Sequence, residues 1–397
     1  MKIRHARGAA RLAADAVIGT THVVEGVHRR VAALLPTLGR TQEKPARGIT
    51  GFVYRAVRTG ARVTGTVLDA SLAGIERLVR ETPATDAPGD NASRLGLLAA
   101  LNGVVGDHLE RTNNPLALPM QLRPGRSRGA RLLVLVHGLC MNDLQWRRKG
   151  HDHGTMLEEL AGWSPVHVRY NTGLHVSTNG TELAQQIEQL VQDWPTAVES
   201  IAILGHSMGG LVARSAVHCA ETTGMRWRGR LQHLVHLGTP HHGALLERGG
   251  NWVQATLEVS PYAASLARLA AVRSDGITDL RFGNVIAADW QAGRHGHRDT
   301  RTFTPLPASV RCYAVAGTLA TKAAGSAVGD GLVTVDSALG RHRRPSRDLR
   351  FPAAHVLEVA GAGHLDLLND ARVARQLRLW LDDRSPENAG IQRVKLS

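Results

Sequence analysis

Ile201-Ala202-Ile203-Leu204-Gly205-His206-Ser207-Met208-Gly209-Gly210-Leu211-Val212-Ala213-Arg214 is the stretch on which the reading of this chain turns. Its first four residues are apolar and two of them are β-branched, the composition of a buried strand. A Gly-His-Ser-Met-Gly turn comes next, and Leu211, Val212, Ser215 and Cys219 then recur at helical spacing. Strand, Gly-x-Ser-x-Gly and helix in that order make a nucleophile elbow. The chemistry requires the shape, because a serine hydroxyl is a weak nucleophile until a base takes its proton. A tight turn projects the Ser207 oxygen clear of the sheet. Glycines at 205, 209 and 210 leave room for the neighbouring backbone, and the Met208 N–H, at the mouth of the helix, can point at a developing oxyanion.

The whole chain bounds what surrounds this stretch. Its 397 residues suffice for one large domain or two ordinary ones, and 43% hydrophobic with 21% charged content is that of a globular protein. Three cysteines, Cys140, Cys219 and Cys312, show no paired spacing, which argues against a disulfide framework and fits a reducing compartment. No apolar run approaches the ~20 residues needed to span a bilayer. Met1-Lys2-Ile3-Arg4 mimics the basic start of a leader, but Asp15, His22 and Glu25 break up the apolar core that a leader needs, so the stretch reads as a retained helix. The expected location is cytoplasmic, with peripheral contact at the inner face of the membrane. The net charge of +14 is carried almost entirely by arginine. It invites an anionic partner, yet no zinc-finger, RNP or basic-zipper pattern accompanies it, so no specific nucleic-acid partner is expected.

Outward from the elbow, residues 1–112 read as a helical extension. Val24, Val27, Val31, Leu34 and Leu35 form one apolar stripe, Val53, Val57, Leu68, Leu72, Ile75 and Val79 a second, and Leu95, Leu98, Leu101, Val105 and Leu109 a third. Glu81 to Asp90 is a polar, Pro-bearing linker. These helices either pack on the rest of the protein or on a second copy, or lie on anionic lipid through their basic amphipathic surface. Closely spaced Pro115, Pro119 and Pro124 place a domain boundary near residue 112, with Leu116 to Leu122 as an entry strand.

Beyond it, Arg131 to Val136 and Val166 to Tyr170 read as strands, and Leu183, Ile187, Leu190, Val191 and Trp194 mark an amphipathic helix leading to the elbow strand. Leu231 to Leu237 is a further strand, ending in Gly238-Thr239-Pro240-His241-His242. Strands alternating with helices imply a mostly parallel sheet with helices on both faces.

Gly205-His206-Ser207-Met208-Gly209-Gly210 together with Leu237-Gly238-Thr239-Pro240-His241 resembles the lipase and serine-esterase branch of the α/β-hydrolase superfamily. Bacterial triacylglycerol-type lipases and esterases grouped with GPI inositol-deacylases are the nearest in pattern. The resemblance covers about residues 130–385 and leaves out the N-terminal helices. It implies an α/β-hydrolase domain over 113–385, an inserted helical cap at about 245–305, and a loose tail at 386–397. It also implies that the His241-His242 loop is structural, and that the cap either hides an apolar trough and opens at an interface or is a fixed wall.

The remaining site residues come from the order of this fold, nucleophile, then acid, then base. His137-Gly138 ends the strand before the first helix, where the fold places its second oxyanion donor, here the Leu139 N–H; a buried structural His137 is the alternative. A carboxylate is needed after the late strand Val310 to Gly317, to hold the base in its tautomer. Asp330 in Asp-Gly-Leu-Val resembles the acid-bearing segment of bacterial lipases, with Asp336, otherwise a capping residue, as runner-up. His364 lies in a glycine loop after the last strand, Val356 to Val359, and is the base. Asp366 matches a calcium-ligating position of some bacterial lipases, but the rest of that site is not recognisable, and a carboxylate at a helix N-terminus explains it.

The expectation is therefore a serine hydrolase cleaving lipid-like carboxylic esters through Ser207, His364 and Asp330, with Leu139 and Met208 N–H groups as the oxyanion hole and with neither metal nor organic cofactor. The alternatives are a carboxylesterase of small esters, an acyltransferase, and a membrane-associated scaffold that kept the hydrolase fold.

Overall fold

The computed structural model describes residues 8, 11, 88–244, 274–291, 299–320 and 329–382. The first two apolar stripes, most of the cap, the Gly/Ala-rich loop at 321–328 and the tail lie outside the described residues.

Helix α1 (Pro88–Arg111) carries the third stripe and leaves helical dihedrals at Val105 (φ −132°, ψ 20°). The chain divides into two compact units, residues 1–87 with 108–117 and residues 88–107 with 118–397. Residues 88–107 group with the sheet-bearing unit for a physical reason: the Leu118 N–H donates to Asn102 Oδ1 (2.9 Å), Asn171 Nδ2 donates to Gly106 O (2.9 Å), and Ser274 Oγ donates to Gly103 O (2.7 Å). A methyl group at Gly103 would meet Cys140, and one at Gly106 would meet Asn171, so these glycines are what lets the helix approach so closely. In the other unit, Asn114 Nδ2 donates to Gly8 O at 3.0 Å.

The sheet begins with β1 (Gln121–Pro124), later than the expected Leu116 to Leu122. The Leu116 N–H donates to Asn114 Oδ1 (3.0 Å) and the Ala117 N–H to Asn114 O (2.8 Å), a local turn that competes with sheet pairing. Six more strands complete it: β2 (Arg131–Val136), β3 (Ser164–Arg169), β4 (Ser200–His206), β5 (Leu231–Leu237), β6 (Arg311–Thr318) and β7 (Val356–Ala360). Their order is β1-β3-β2-β4-β5-β6-β7, with β1 antiparallel to β3 and all other neighbours parallel.

Both faces are covered, which is why the strands read as near-continuous apolar runs. On one face Leu132, Val134, Ile201 and Ile203 pack beneath α3 (Val176–Asp193) and α4 (Met208–Thr223), which present Leu183, Ile187, Leu211 and Val212. On the other, Leu133, Leu135, Ala202 and Leu204 pack beneath α2 (His153–Ala161) and α8 (Ala371–Leu381), which present Leu157, Val373 and Leu377. Each fully buried side chain of this kind contributes ~1.5–3 kcal/mol. Helix α8 starts at Ala371, not at Leu367. Leu367 and Leu368 occupy a preceding single turn, and Asp370 accepts the Arg372 N–H (2.7 Å) as the cap.

Of the expected cap, the described parts hold two short helices, α5 (Asp275–Asp279) and α6 (Ala288–Gln291). They are tied to the start of α3. Asp279 Oδ2 accepts the Val176 N–H (2.8 Å) and lies 3.0 Å from His175 Nδ1, while Oδ1 accepts from Asn284 Nδ2 (2.8 Å). Trp290 stacks on His175 with ring centroids 3.9 Å apart, and its indole N–H donates to Ser177 Oγ (3.0 Å). Helix α7 (Val335–Ala338) comes after β6 and is capped by Thr334, whose hydroxyl accepts the Ser337 N–H (3.2 Å). Asp336 is therefore not the cap that sequence reasoning expects; it sits in the first turn behind Thr334. No helix among the described residues is long and apolar enough to cross a membrane.

Because β4, β5, β6 and β7 run parallel, the segments leading out of them all leave from one edge of the sheet. That carboxyl edge is where open α/β sheets bind their ligands.

Candidate active site

Ser207 joins β4 to α4 with φ 54° and ψ −126°, a left-handed conformation that costs a non-glycine residue on the order of 1–3 kcal/mol. The surroundings hold it there. Its N–H donates to Leu237 O at the end of β5 (2.8 Å). A methyl group at Gly209 would run into Val136 O, and one at Gly205 into the backbone of Gly210, so the glycines allow α4 to start directly against the strands. Ser207 is half-buried, whereas Met208 behind it is fully buried.

The segment after β2 runs alongside. A methyl group at Gly138 would lie 3.0 Å from Ser207 Cβ, which places the chain leading into Leu139 beside the serine. His137 is completely buried, and its ring stacks on Tyr170 (4.5 Å between centroids). The Tyr170 hydroxyl donates to His137 O (2.6 Å), and burial pushes the His137 imidazole down to about 4. His137 is thus a neutral packing residue that shapes this segment. The Met208 N–H belongs to the first turn of α4, where no preceding helical turn is available to accept it.

His364 and Asp330 come together from different loops. His364 Nδ1 lies 2.7 Å from Asp330 Oδ2, and both side chains are almost wholly excluded from solvent. Asp330 Oδ1 accepts the N–H groups of Leu332 (3.0 Å) and Val333 (2.8 Å), while the His364 N–H donates to Asp330 O (3.0 Å). The carboxylate is therefore oriented by its own loop before it meets the imidazole. Gly238, with φ 56°, packs against the pair: a methyl group there would lie 3.2 Å from both Asp330 Oδ2 and His364 Cε1.

His206, the residue before Ser207, reaches the same pair. Its ring centroid lies 4.8 Å from that of His364, and its Nε2 lies 3.1 Å from His364 O. Burial, reinforced by the neighbouring His364, holds the His206 imidazole well below its usual range, so it stays neutral and Nε2 is the donor. Nothing in the sequence flags this residue, because it fills a variable place of Gly-x-Ser-x-Gly; only the long-range meeting of β4 with the His364 loop reveals it.

The other histidines and acids fall elsewhere. His241 is buried with Nδ1 3.3 Å from Arg214, and His242 Nε2 lies 3.0 Å from Gly340 O. Asp366 Oδ2 accepts the Gly363 N–H (3.1 Å), and Oδ1 faces Lys149 Nζ at 3.4 Å, so this carboxylate ties down the histidine loop. Among the described residues no group of three or more His, Cys, Asp or Glu side chains is placed to hold a metal ion.

Residues 126–272 match the family described as "Putative serine esterase (DUF676)". The fold is that of an α/β-hydrolase, and the matched segment is similar to serine esterases. The match supports an ester hydrolase. None of the curated proteins matches the sequence. Among solved structures, the mature lipase BlEst2 of Bacillus licheniformis is similar at 19% identity, over 67% of this chain and 99% of that one, with a TM-score of 0.42. A lipase-esterase related protein of Clostridium acetobutylicum is similar at 12% identity, over 66% and 99%, with a TM-score of 0.37. An esterase of Pyrococcus furiosus is similar at 14% identity, over 64% and 83%, with a TM-score of 0.37. In this fold a serine on a strained turn, a carboxylate-oriented imidazole and an N–H in the first turn of a helix share one sheet edge, a set of groups suited to acyl transfer.

Proposed function

We propose that the protein hydrolyses carboxylic esters with lipid-like acyl chains through an acyl-enzyme on Ser207. The observation that carries this reading is the His364–Asp330 hydrogen bond of 2.7 Å on the same sheet edge as the left-handed Ser207. Ser207 Oγ attacks the acyl carbon as His364 Nε2 takes its proton, and the carbonyl π electrons move onto the oxygen. The N–H groups of Leu139 and Met208 stabilise that oxyanion, an interaction worth ~3–4 kcal/mol per donor in comparable sites. Collapse breaks the bond to the alcohol, which leaves with the proton from His364. Water then attacks the acyl carbon as His364 takes its proton, and the bond from that carbon to Ser207 Oγ breaks with the proton returned to Ser207, which releases the acid. Asp330 holds His364 with Nδ1 protonated and Nε2 free to act as the base.

A second reading has its own support. The described parts of the insertion are anchored to α3 through Asp279 and Trp290, which favours a fixed wall and a carboxylesterase of small esters.

A chain-length series of chromogenic acyl esters, with and without detergent micelles, tests both. Long-chain preference with a jump on adding micelles, lost in Ser207→Ala, supports the lipase reading. Activity confined to short soluble esters favours the fixed wall. A fully active Ser207→Ala protein refutes the mechanism.

A further inference from the structure

A second concave site lies beside the described part of the insertion, away from Ser207 in its lining. It is a cavity of about 1310 Å³ between the segment after β5, the start of the turn after α5, and the segment running through and beyond α7. Its charge is one-sided. Arg281, Arg341, Arg343, Arg344 and Arg347 line it, against the carboxylates of Asp299 and Asp336. Asp299 is already engaged, by Arg347 Nη1 at 2.7 Å and by Arg301 Nε at 3.0 Å, which holds its carboxyl down at about 2. Asp336 is then the one remaining carboxylate of the lining, set against the guanidinium groups of Arg341, Arg343 and Arg344. Such an excess around a concavity raises the local potential and attracts an anion.

The groups present select among anions. Guanidinium forks match the oxygens of phosphate and of carboxylate, but a phosphate brings roughly −1.5 to −2 charges and three acceptor oxygens, closer to the excess here than a lone carboxylate. The volume exceeds that of a bare ion and suits a small molecule. His242 lines the cavity, and its Nδ1 is buried without a hydrogen-bond partner, while Nε2 lies 3.0 Å from Gly340 O. Burial pushes this imidazole down to about 4, so it is neutral, with Nε2–H donating to Gly340 and Nδ1 left as an acceptor. Because Nδ1 is closed to solvent, His242 adds a neutral wall to the cavity and leaves ligand recognition to the guanidinium groups.

We propose that this cavity binds a small phosphate-bearing compound, with Arg341, Arg343 and Arg344 holding the phosphate. The chemistry is shared by free glycerol phosphate-like molecules and by the headgroup of a phospholipid. The site is independent of the ester-cleaving reading, and its test does not use turnover.

Isothermal titration of the full chain with glycerol 3-phosphate, inorganic phosphate and acetate is the first arm. Saturable binding in the order glycerol 3-phosphate, then phosphate, then acetate is expected. At least a tenfold loss is expected in Arg341→Ala/Arg343→Ala/Arg344→Ala, with an unchanged thermal melt. Arg343→Gln alone, a milder change at an exposed side chain, should weaken binding about threefold. The second arm is co-sedimentation with neutral phosphatidylcholine vesicles, with and without phosphatidic acid. Binding of the soluble compound without vesicle capture assigns a free phosphate compound. Capture that needs phosphatidic acid and is lost in the triple variant assigns the headgroup. Absence of binding in both arms, binding that the arginine variants leave unchanged, or a preference for acetate overturns the proposal.

Discussion

His206 Nε2 lies 3.1 Å from the backbone oxygen of His364, with the two rings 4.8 Å apart. The residue before the serine thus holds the loop that carries His364, the proposed base, and it does so as a neutral ring. Were it cationic, the imidazolium that the proposed mechanism forms on His364 would face a second positive charge. We expect His206→Ala to lower kcat about tenfold with little change in KM, because a misplacement of ~1 Å at a reacting group is costly. His206→Gln, which keeps an N–H donor, should recover most of the loss. If both variants match the parent in kcat, His206 has no positioning role.

Asp330 and Asp336 separate cleanly by substitution. In Asp330→Asn one oxygen can still accept the N–H groups of Leu332 and Val333, so the loop keeps its shape. The other position now offers an amide N–H to His364 Nδ1, which favours the wrong tautomer. A loss of kcat of ~10⁴-fold is expected, with a near-normal denaturation curve. Asp336→Asn should change kcat less than about threefold. The reverse pattern in steady-state kinetics would reassign the acid.

Gly238 tests how tightly the pair is packed. It has φ 56°, and a side chain there meets Asp330 Oδ2, His364 Cε1 and Leu367 Cδ1 at 3.1–3.2 Å. Gly238→Ala should destabilise the protein by ~1–2 kcal/mol through backbone strain and lower kcat by at least tenfold through displacement of the imidazole. Urea melts and ester hydrolysis on one preparation distinguish the two effects; unaltered kcat would show that the pair tolerates the shift.

The buried histidines predict the acid limb of stability. His137 and His153 are depressed from 6.5 to about 4, in both cases chiefly by burial. Below pH 6.5 the unfolded chain binds protons that the folded chain refuses, so their contribution is complete above 6.5 and is lost as pH falls toward 4. Each accounts for up to ~3 kcal/mol of that loss. Chemical denaturation at pH 7.5, 6.0 and 4.5 should show a falling free energy of unfolding. A rise between 7.5 and 4.5 would contradict neutral burial of these rings.

Much of the candidate site was legible because its signals are local. Gly205 to Gly210 marks a turn that only small residues permit, and a histidine in a glycine loop after the last strand, His364, stands out by its place in chain order. The strands were legible for the same reason, since burial on both faces leaves runs such as Arg131 to Val136 almost wholly apolar. The edges of the sheet were less so. At Leu116 to Leu122 an Asx turn at Asn114 competes with strand pairing, and apolar composition alone does not register that competition.

What the sequence by itself determined is the parallel α/β-hydrolase architecture and the candidate site residues, because strand burial, turn chemistry and chain order are written in near neighbours. Tertiary structure alone decided which residues meet. It brought Asp330 Oδ2 to His364 Nδ1, set His206 under the His364 loop, joined residues 88–107 to the sheet-bearing unit, and gathered Arg281 with Arg341, Arg343 and Arg344 around one cavity. Each of these contacts spans dozens of residues and depends on distances and solvent exclusion that arise only when the sheet is assembled.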